Sequence, residues 1–232
     1  MHATRKLWTW LAVICVLSFA VLGWVGTEIY VKAPPIPQQV VSAKGEVLFT
    51  GEQIQHGQEA WLSAGGQQLG SVWGHGSYLA PDWSADWLHR EALALREIWA
   101  QRDYAKPFEQ LDIGQQAQLN GLLKAEMRHN THDAKNATVT LSEERAAAVQ
   151  QLVQHYTGLF GDDKSQDALR EQYAMIAGSL KQTADQQALA AFFFWSAWAA
   201  TTDRPGEPGL SYTSNWPHEP LVGNTPTAST GI

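Results

Sequence analysis

The sequence predicts a mainly α-helical protein with one N-terminal transmembrane helix, followed by a helical domain that contains a small β-hairpin. Three observations predict this class. An uncharged apolar run occupies residues 7–25, several later segments repeat apolar residues with a helical period, and residues 40–49 alone have strand character. At 232 residues the chain has room for one ordinary domain plus an anchor.

Composition excludes two kinds of function. The formal net charge is -7 and the isoelectric point is near 5.6, so no basic field is available to neutralise the phosphates of a nucleic acid. Cys15 is the only cysteine, and it lies inside the apolar run. An internal disulfide and a c-type haem held by a CxxCH motif are therefore both excluded.

The apolar run at residues 7–25 has tryptophans near both ends. About 20 apolar residues are enough for a helix to cross the roughly 30 Å hydrocarbon core of a bilayer. A cleaved signal peptide has a shorter core and a small-x-small cleavage site, which this run lacks. We therefore predict an uncleaved anchor in the lipid bilayer. Arg5 and Lys6 place the short N-terminal tail in the cytoplasm and everything after the run on the other side.

Beyond the anchor, prolines and changes of period divide the chain. The predicted parts are residues 1–30 for the tail and transmembrane helix, 31–39 for a Pro-rich linker, 40–203 for the folded domain and 204–232 for an irregular loop. The linker is stiff because Pro34, Pro35 and Pro37 restrict the backbone. Residues 40–49, with Lys44-Gly45 at their centre, predict a hairpin and give the only strand signal.

Six helices are predicted after the hairpin. They run from 50 to 65, from 84 to 102, around 119–127, from 140 to 161, from 167 to 180, and from 183 to before Pro205. Three of these helices begin with a capping-box pattern: Thr50 with Gln53, Thr140 with Glu143, and Thr183 with Gln186. The last helix is aromatic on every side, so either its own domain or a membrane-embedded partner must cover it.

His129 and His132 form an H-x-x-H pair, a spacing that can place two metal ligands on one helix face. They lie in a polar string at a predicted helix end, where histidine complements the helix dipole. This context favours a structural role over a metal site.

The stretch from Gly65 to Arg90 is the most specific segment of the chain. It holds five glycines, His75, Tyr78 and three tryptophans with little periodicity. Such a composition predicts a loop that approaches something closely, although a tryptophan-packed loop over the core would have the same composition.

Two long motifs resemble the extracytoplasmic domain of quinol-dependent nitric oxide reductases. The first is GEVLFTGEQIQHGQEAWLSAGGQQLGSVWGHGSYLAPDWSADWLHREAL from Gly45, and the second is FFWSAWA from Phe193 with the later stretches RPG and SYTSNWPHEPL. With the anchor, the resemblance covers nearly the whole chain. It implies a bacterial inner-membrane protein whose periplasmic domain has a cytochrome-c-like fold that has lost its haem.

The resemblance also locates the loss of the haem. In the related small subunits of cytochrome-c-dependent nitric oxide reductases, CxxCH comes shortly before a G-x-Y-x-A-P-D stretch, which matches residues 76–82 here. The aligned positions are Gly66, Gln67, Gln68, Leu69 and Gly70, with neither thioether cysteine nor axial histidine. Gly76 and Tyr78 match positions that help to hold a calcium ion against the catalytic subunit, so they are the candidate metal residues.

The resemblance further implies that haem b, haem b3 and a non-haem iron belong to a catalytic transmembrane region, the expected partner of this domain. Because the sequence stops at Ile232 before such a region, we expect this chain alone not to reduce nitric oxide to nitrous oxide. An alternative is a non-enzymatic anchored subunit that packs on a separately encoded catalytic chain. A ligand-binding sensor would need a signalling domain, for which the cytoplasmic tail is too short.

Overall fold

The computed structural model describes residues 2–226 and divides the chain into two units, residues 1–35 and 36–232. The first unit is a single helix, α1 (His2–Lys32). Its stretch Thr4–Lys32 is long and apolar enough to cross a membrane, judged by length and composition, and none of it is buried. The helix therefore contains the predicted apolar run, residues 7–25, and continues past its end to Lys32.

The second unit begins with a sheet that has more strands than predicted. β1 (Gln39–Ser42) and β2 (Val47–Thr50) pair antiparallel across a turn at Gly45, as predicted. β1 also pairs in parallel with β4 (Thr138–Leu141), which pairs with β3 (His132–Asp133), so the strand order is β2-β1-β4-β3. The expectation of one strand pair was wrong, because short strands between helices are too brief to show a period of two.

The helices of this unit are α2 (Gly51–Ala64), α3 (Trp83–Tyr104), α4 (Ile113–Arg128), α5 (Glu143–Phe160), α6 (Asp167–Gln172) and α7 (Thr183–Thr201). The capping box at the start of α2 is confirmed. The Thr50 hydroxyl accepts from the amide of Gln53, and the Gln53 side chain accepts from the amide of Thr50.

Two other predicted caps were wrong. α5 is capped by Ser142, because Thr140 belongs to β4. At α7 the side-chain amide of Gln186 donates to the carbonyl oxygen of Leu180 at 2.9 Å, so it forms no box with Thr183. A sheet contact replaces the predicted cap at α5, and a hydrogen bond to a carbonyl six residues earlier replaces it at α7.

α6 is also shorter than predicted, ending at Gln172 instead of near residue 180. Ala174 and Gly178 both have left-handed backbones, with φ of 53° and 65°, and neither conformation continues a helix.

α7 is the central helix and packs on α2, α3 and α5. From Ala188 to Thr201 every residue except Trp195 is buried. The approach of α2 is close: a Cβ added to Gly57 would lie 2.0 Å from the carbonyl oxygen of Ala188. The sequence predicted that either its own domain or a membrane-embedded partner covers this aromatic helix. In the structure its own domain covers it.

The described part of the C-terminal segment, residues 203–226, belongs to the domain, and we call it the tail from here on. β5 (Asp203–Arg204) and β6 (Glu207–Ser211) form a second hairpin, and Val222 is fully buried in the core. The prediction of an irregular loop after residue 203 was therefore wrong for these residues. Residues 227–232 lie outside the described residues.

Candidate functional site

The glycine-rich stretch singled out in the sequence forms a closed loop at residues 70–82, which we call the clamped loop. At its base, the amide of Ser71 donates to the carbonyl oxygen of Pro81 at 3.2 Å. The amide of Trp83 donates to the carbonyl oxygen of Ser71 at 2.8 Å. Gly70 has a φ of 108°, and an added Cβ would lie 2.3 Å from the Pro81 oxygen. Closure of the loop therefore requires glycine at position 70.

The carboxylate of Asp82 organises the interior of the clamped loop. One oxygen accepts from the Gly74 amide at 2.6 Å and the Ser71 hydroxyl at 2.8 Å, and the other accepts from the Ser84 hydroxyl and the Ala85 amide. A carboxylate has about four lone-pair sites, so the chain itself uses all of them. Asp82 therefore fixes the loop, caps α3 and has no free position for a cation.

Two tryptophans tie the clamped loop to the rest of the domain. The indole N–H of Trp73 donates to the carbonyl oxygen of Ser196 in α7 at 2.8 Å. In the tail, the indole N–H of Trp216 donates to the carbonyl oxygen of Gly74 at 3.0 Å. The Trp216 ring also packs edge-on against the His75 ring, with centroids 4.7 Å apart. The loop is thus held from two directions.

The predicted pair Gly76 and Tyr78 lies at the turn of the clamped loop. Gly76 has a φ of 79° and donates its amide to the Ser71 hydroxyl at 2.7 Å. Tyr78 is 99% exposed, and its neighbour Leu79 is 56% exposed. A large aromatic side chain is thus presented to the outside by a loop whose backbone is fixed.

The segment aligned with the haem site forms a 3-10 turn at Gly66–Leu69. The buried indole of Trp83 donates to the carbonyl oxygen of Leu69 at 2.5 Å, and its ring stacks on Phe193 with centroids 5.3 Å apart. These residues do not fit a covalently bound haem, because the segment has no thiol or imidazole and an indole fills the space beside it.

Arg128, buried at the end of α4, attaches the tail to the domain. Its guanidinium donates to the side-chain oxygens of Asn224 at 3.0 Å and Asn215 at 3.1 Å, and it pairs with Asp203 at 2.6 Å. We call this set the Arg128 hub. The sequence did not predict the hub, because the two asparagines lie 96 and 87 positions away from Arg128 along the chain.

The two histidines of the H-x-x-H pair lie on different elements. His129 is an exposed residue at the end of α4, whereas His132 lies in β3 with its ring 6.4 Å from that of Trp198. Partial burial lowers the pKa of His132. Within residues 2–226, no group of three His, Cys, Asp or Glu side chains is arranged to hold a metal ion.

These features define a class: a mainly helical domain with an aromatic core and a clamped glycine-rich loop, preceded in the chain by one apolar helix. The family model for the cytochrome c-like domain of the nitric oxide reductase NorB chain matches residues 37–218. The chain belongs to this family, as the motifs indicated. A search among curated proteins found no match.

Proposed function

We propose that this chain is the N-terminal part of a quinol-dependent nitric oxide reductase of the bacterial inner membrane, serving denitrification. In this proposal α1 crosses the membrane with its N-terminus in the cytoplasm, and the domain lies in the periplasm and packs on the catalytic transmembrane region. The family match over residues 37–218 and the length and apolar character of Thr4–Lys32 support it.

In the complete reaction, two nitric oxide molecules, two electrons from quinol and two protons give nitrous oxide and water. Haem b, haem b3 and a non-haem iron in the catalytic region would bind nitric oxide and transfer the electrons. The side chains of this domain would cover that region and exclude water from it. We therefore propose that the chain alone is not catalytic.

The observation that carries the docking role is the exposure of Tyr78 and Leu79 on a fixed loop. Ordering a loop costs conformational entropy, and here Asp82 and Trp216 hold the loop in place without burying its two largest side chains at the turn. Exposed apolar side chains that are adjacent and rigidly presented mark protein contact sites, and aromatic residues are the commonest anchors of such sites.

We further propose that Gly76 and Tyr78 supply two oxygen ligands to a shared calcium ion. Neither the Tyr78 hydroxyl nor the Gly76 carbonyl oxygen has a partner among the described residues, so both are available. Calcium takes about 6–8 oxygen ligands, and Asp82 cannot add to them because its carboxylate is fully used. The remaining ligands would come from the catalytic region.

The docking role is tested by co-expressing the chain with the catalytic transmembrane region of a quinol-dependent nitric oxide reductase from which the N-terminal domain is deleted. We expect capture of a complex that consumes nitric oxide with reduced quinol, and no consumption by the chain alone. Tyr78→Ala should weaken capture by roughly tenfold or more, the effect of removing an interface anchor. Ile113→Ser, at an 87% exposed site in α4, is the matched control and should have no effect.

The calcium ligand is tested separately with Tyr78→Phe, which keeps the ring. We expect normal capture, lower calcium content and altered haem spectra. Unchanged calcium and spectra would refute the ligand but leave the docking role intact. Failure of capture, or equal sensitivity to Ile113→Ser, would contradict the docking role itself.

A further inference from the structure

Two tyrosines share one carboxylate inside the domain. The hydroxyl of Tyr156 donates to Asp86 at 2.6 Å, and the hydroxyl of Tyr173 lies 3.4 Å from the other oxygen of the same side chain. Tyr156 is fully buried, whereas Tyr173 is half-buried and borders solvent. Arg90 also donates to Asp86, at 2.8 Å, and balances its charge.

Two tryptophans connect this Tyr–Asp–Tyr group into a continuous aromatic path. Trp87 stacks on Tyr156 with centroids 5.0 Å apart, and its indole N–H donates to the buried carboxylate of Glu91 at 2.8 Å. The ring of Trp83 contacts the rings of Tyr156 and Tyr173 edge-on, with centroids 6.2 Å and 5.9 Å apart. The path therefore runs from the half-buried Tyr173 to the fully buried Tyr156 through side chains in contact.

Tyrosine and tryptophan are the side chains that lose one electron most readily, and a phenol that loses an electron must also lose its proton. Burial raises the pKa of Tyr156, so its phenol stays protonated near neutral pH. The proton then has one short route, to the Asp86 oxygen at 2.6 Å. Simple packing would need the ring of Tyr156 but not this placement beside a carboxylate and two other oxidisable rings.

We propose that Tyr156 is a one-electron redox site, with Asp86 as its proton acceptor and Tyr173 and Trp83 as the route to the surface. An outer-sphere one-electron oxidant removes an electron at Tyr173, whose proton moves to Asp86. An electron then passes from Tyr156 to Tyr173 through Trp83. Asp86 returns the proton to Tyr173 and takes the one from Tyr156. The products are the reduced oxidant, a neutral Tyr156 radical and a protonated Asp86.

The test uses the full chain in detergent, with photogenerated tris(bipyridine)ruthenium(III) as the oxidant and freeze-quench EPR as the readout. The background carries Tyr30→Phe and Tyr78→Phe, because these two tyrosines are 85% and 99% exposed and would be oxidised directly. We expect a persistent tyrosyl signal in this background. Tyr156→Phe should abolish the persistent signal, because the radical then stays at the half-buried Tyr173 and is short-lived there. Asp86→Asn should lower the yield of the persistent signal by roughly tenfold, the change expected when one charged hydrogen bond is lost.

Circular dichroism first establishes that each variant is folded. If Tyr156→Phe does not fold, Asp86→Asn decides the question, because the substitution keeps the shape of the side chain and removes the proton acceptor. The absence of a tyrosyl signal in the background chain would overturn the proposal. The same would follow from an equal signal in folded Tyr156→Phe, or from an unchanged yield in Asp86→Asn.

Discussion

The Arg128 hub gives the sharpest test of how the tail is held. Arg128→Met keeps much of the side-chain volume and removes the charge that binds Asp203, Asn215 and Asn224. All three partners belong to the chain that follows α7, so we expect residues 203–226 to loosen first. The core around α7 would remain folded because its own contacts do not pass through Arg128.

The size of the effect follows from burial. Removing one partner of a buried ion pair costs about 3–5 kcal/mol, since the other partner is left without its counter-charge. The side chain of Arg128 is 9% exposed and that of Asp203 is 26% exposed, and the other oxygen of Asp203 keeps its bond to the Gly209 amide, so the lower end, about 3 kcal/mol, applies. For a domain of this size, such a loss lowers Tm by roughly 6–12 °C.

The assay combines thermal unfolding of the detergent-solubilised chain with hydrogen exchange of the tail amides. The control is Arg102→Met: Arg102 also binds two carboxylates, Asp103 and Glu144, but is 47% exposed. Exposed pairs contribute at most about 1 kcal/mol, so this variant should unfold close to the parent. Equal Tm values for Arg128→Met and the parent, with unchanged exchange in the tail, would refute the reasoning.

Three further predictions concern the core. Gly57→Ala should destabilise the domain by about 3 kcal/mol in urea unfolding, because its Cβ meets the Ala188 carbonyl oxygen at 2.0 Å; a neutral effect would show that α2 can move away. Glu91→Gln should cost roughly 3–5 kcal/mol, since it leaves Arg145 buried and charged without its partner at 2.7 Å; a stability within error of the parent would mean that the buried pair contributes nothing net. Burial lowers the pKa of His155 below 6.5, so the unfolded chain binds the proton more tightly and the free energy of unfolding falls as pH drops through 6.5. His155→Gln should flatten that part of the pH–stability curve, and an unaltered curve would assign the loss to other groups.

Local signals in the sequence predicted much of the fold. The N-terminal apolar helix, the first hairpin and α2 with its Thr50–Gln53 box each depend on residues a few positions apart, and a period or a cap can report such contacts. The absence of a CxxCH motif is likewise readable directly from residues 66–70.

Local patterns failed where another contact takes a residue away from its predicted partner. The register that places Val40 beside Val139 adds two strands to the sheet and takes Thr140 out of its predicted cap. Gln186 has a capping spacing, yet the chain before α7 brings the Leu180 carbonyl within reach of its side chain.

For the candidate site, the sequence indicated the loop and the pair Gly76 and Tyr78, because glycine density and the family motif mark them. Asp82 could have been recognised as an N-cap, since an aspartate directly before a helix has that local meaning. The sequence could not show that every lone pair of the Asp82 carboxylate is used, because the donors come from both ends of the loop.

By itself, then, the sequence determined the N-terminal apolar helix, the helical class, the absence of a CxxCH motif and the family, since periodicity, composition and short motifs are properties of contiguous residues. Only the tertiary structure decided that the aromatic α7 is covered by its own domain, that Arg128 holds the tail, and that Tyr156 lies against Asp86. The partners in these contacts are 70 or more positions apart in the last two cases, and only the packed chain brings them within hydrogen-bonding distance.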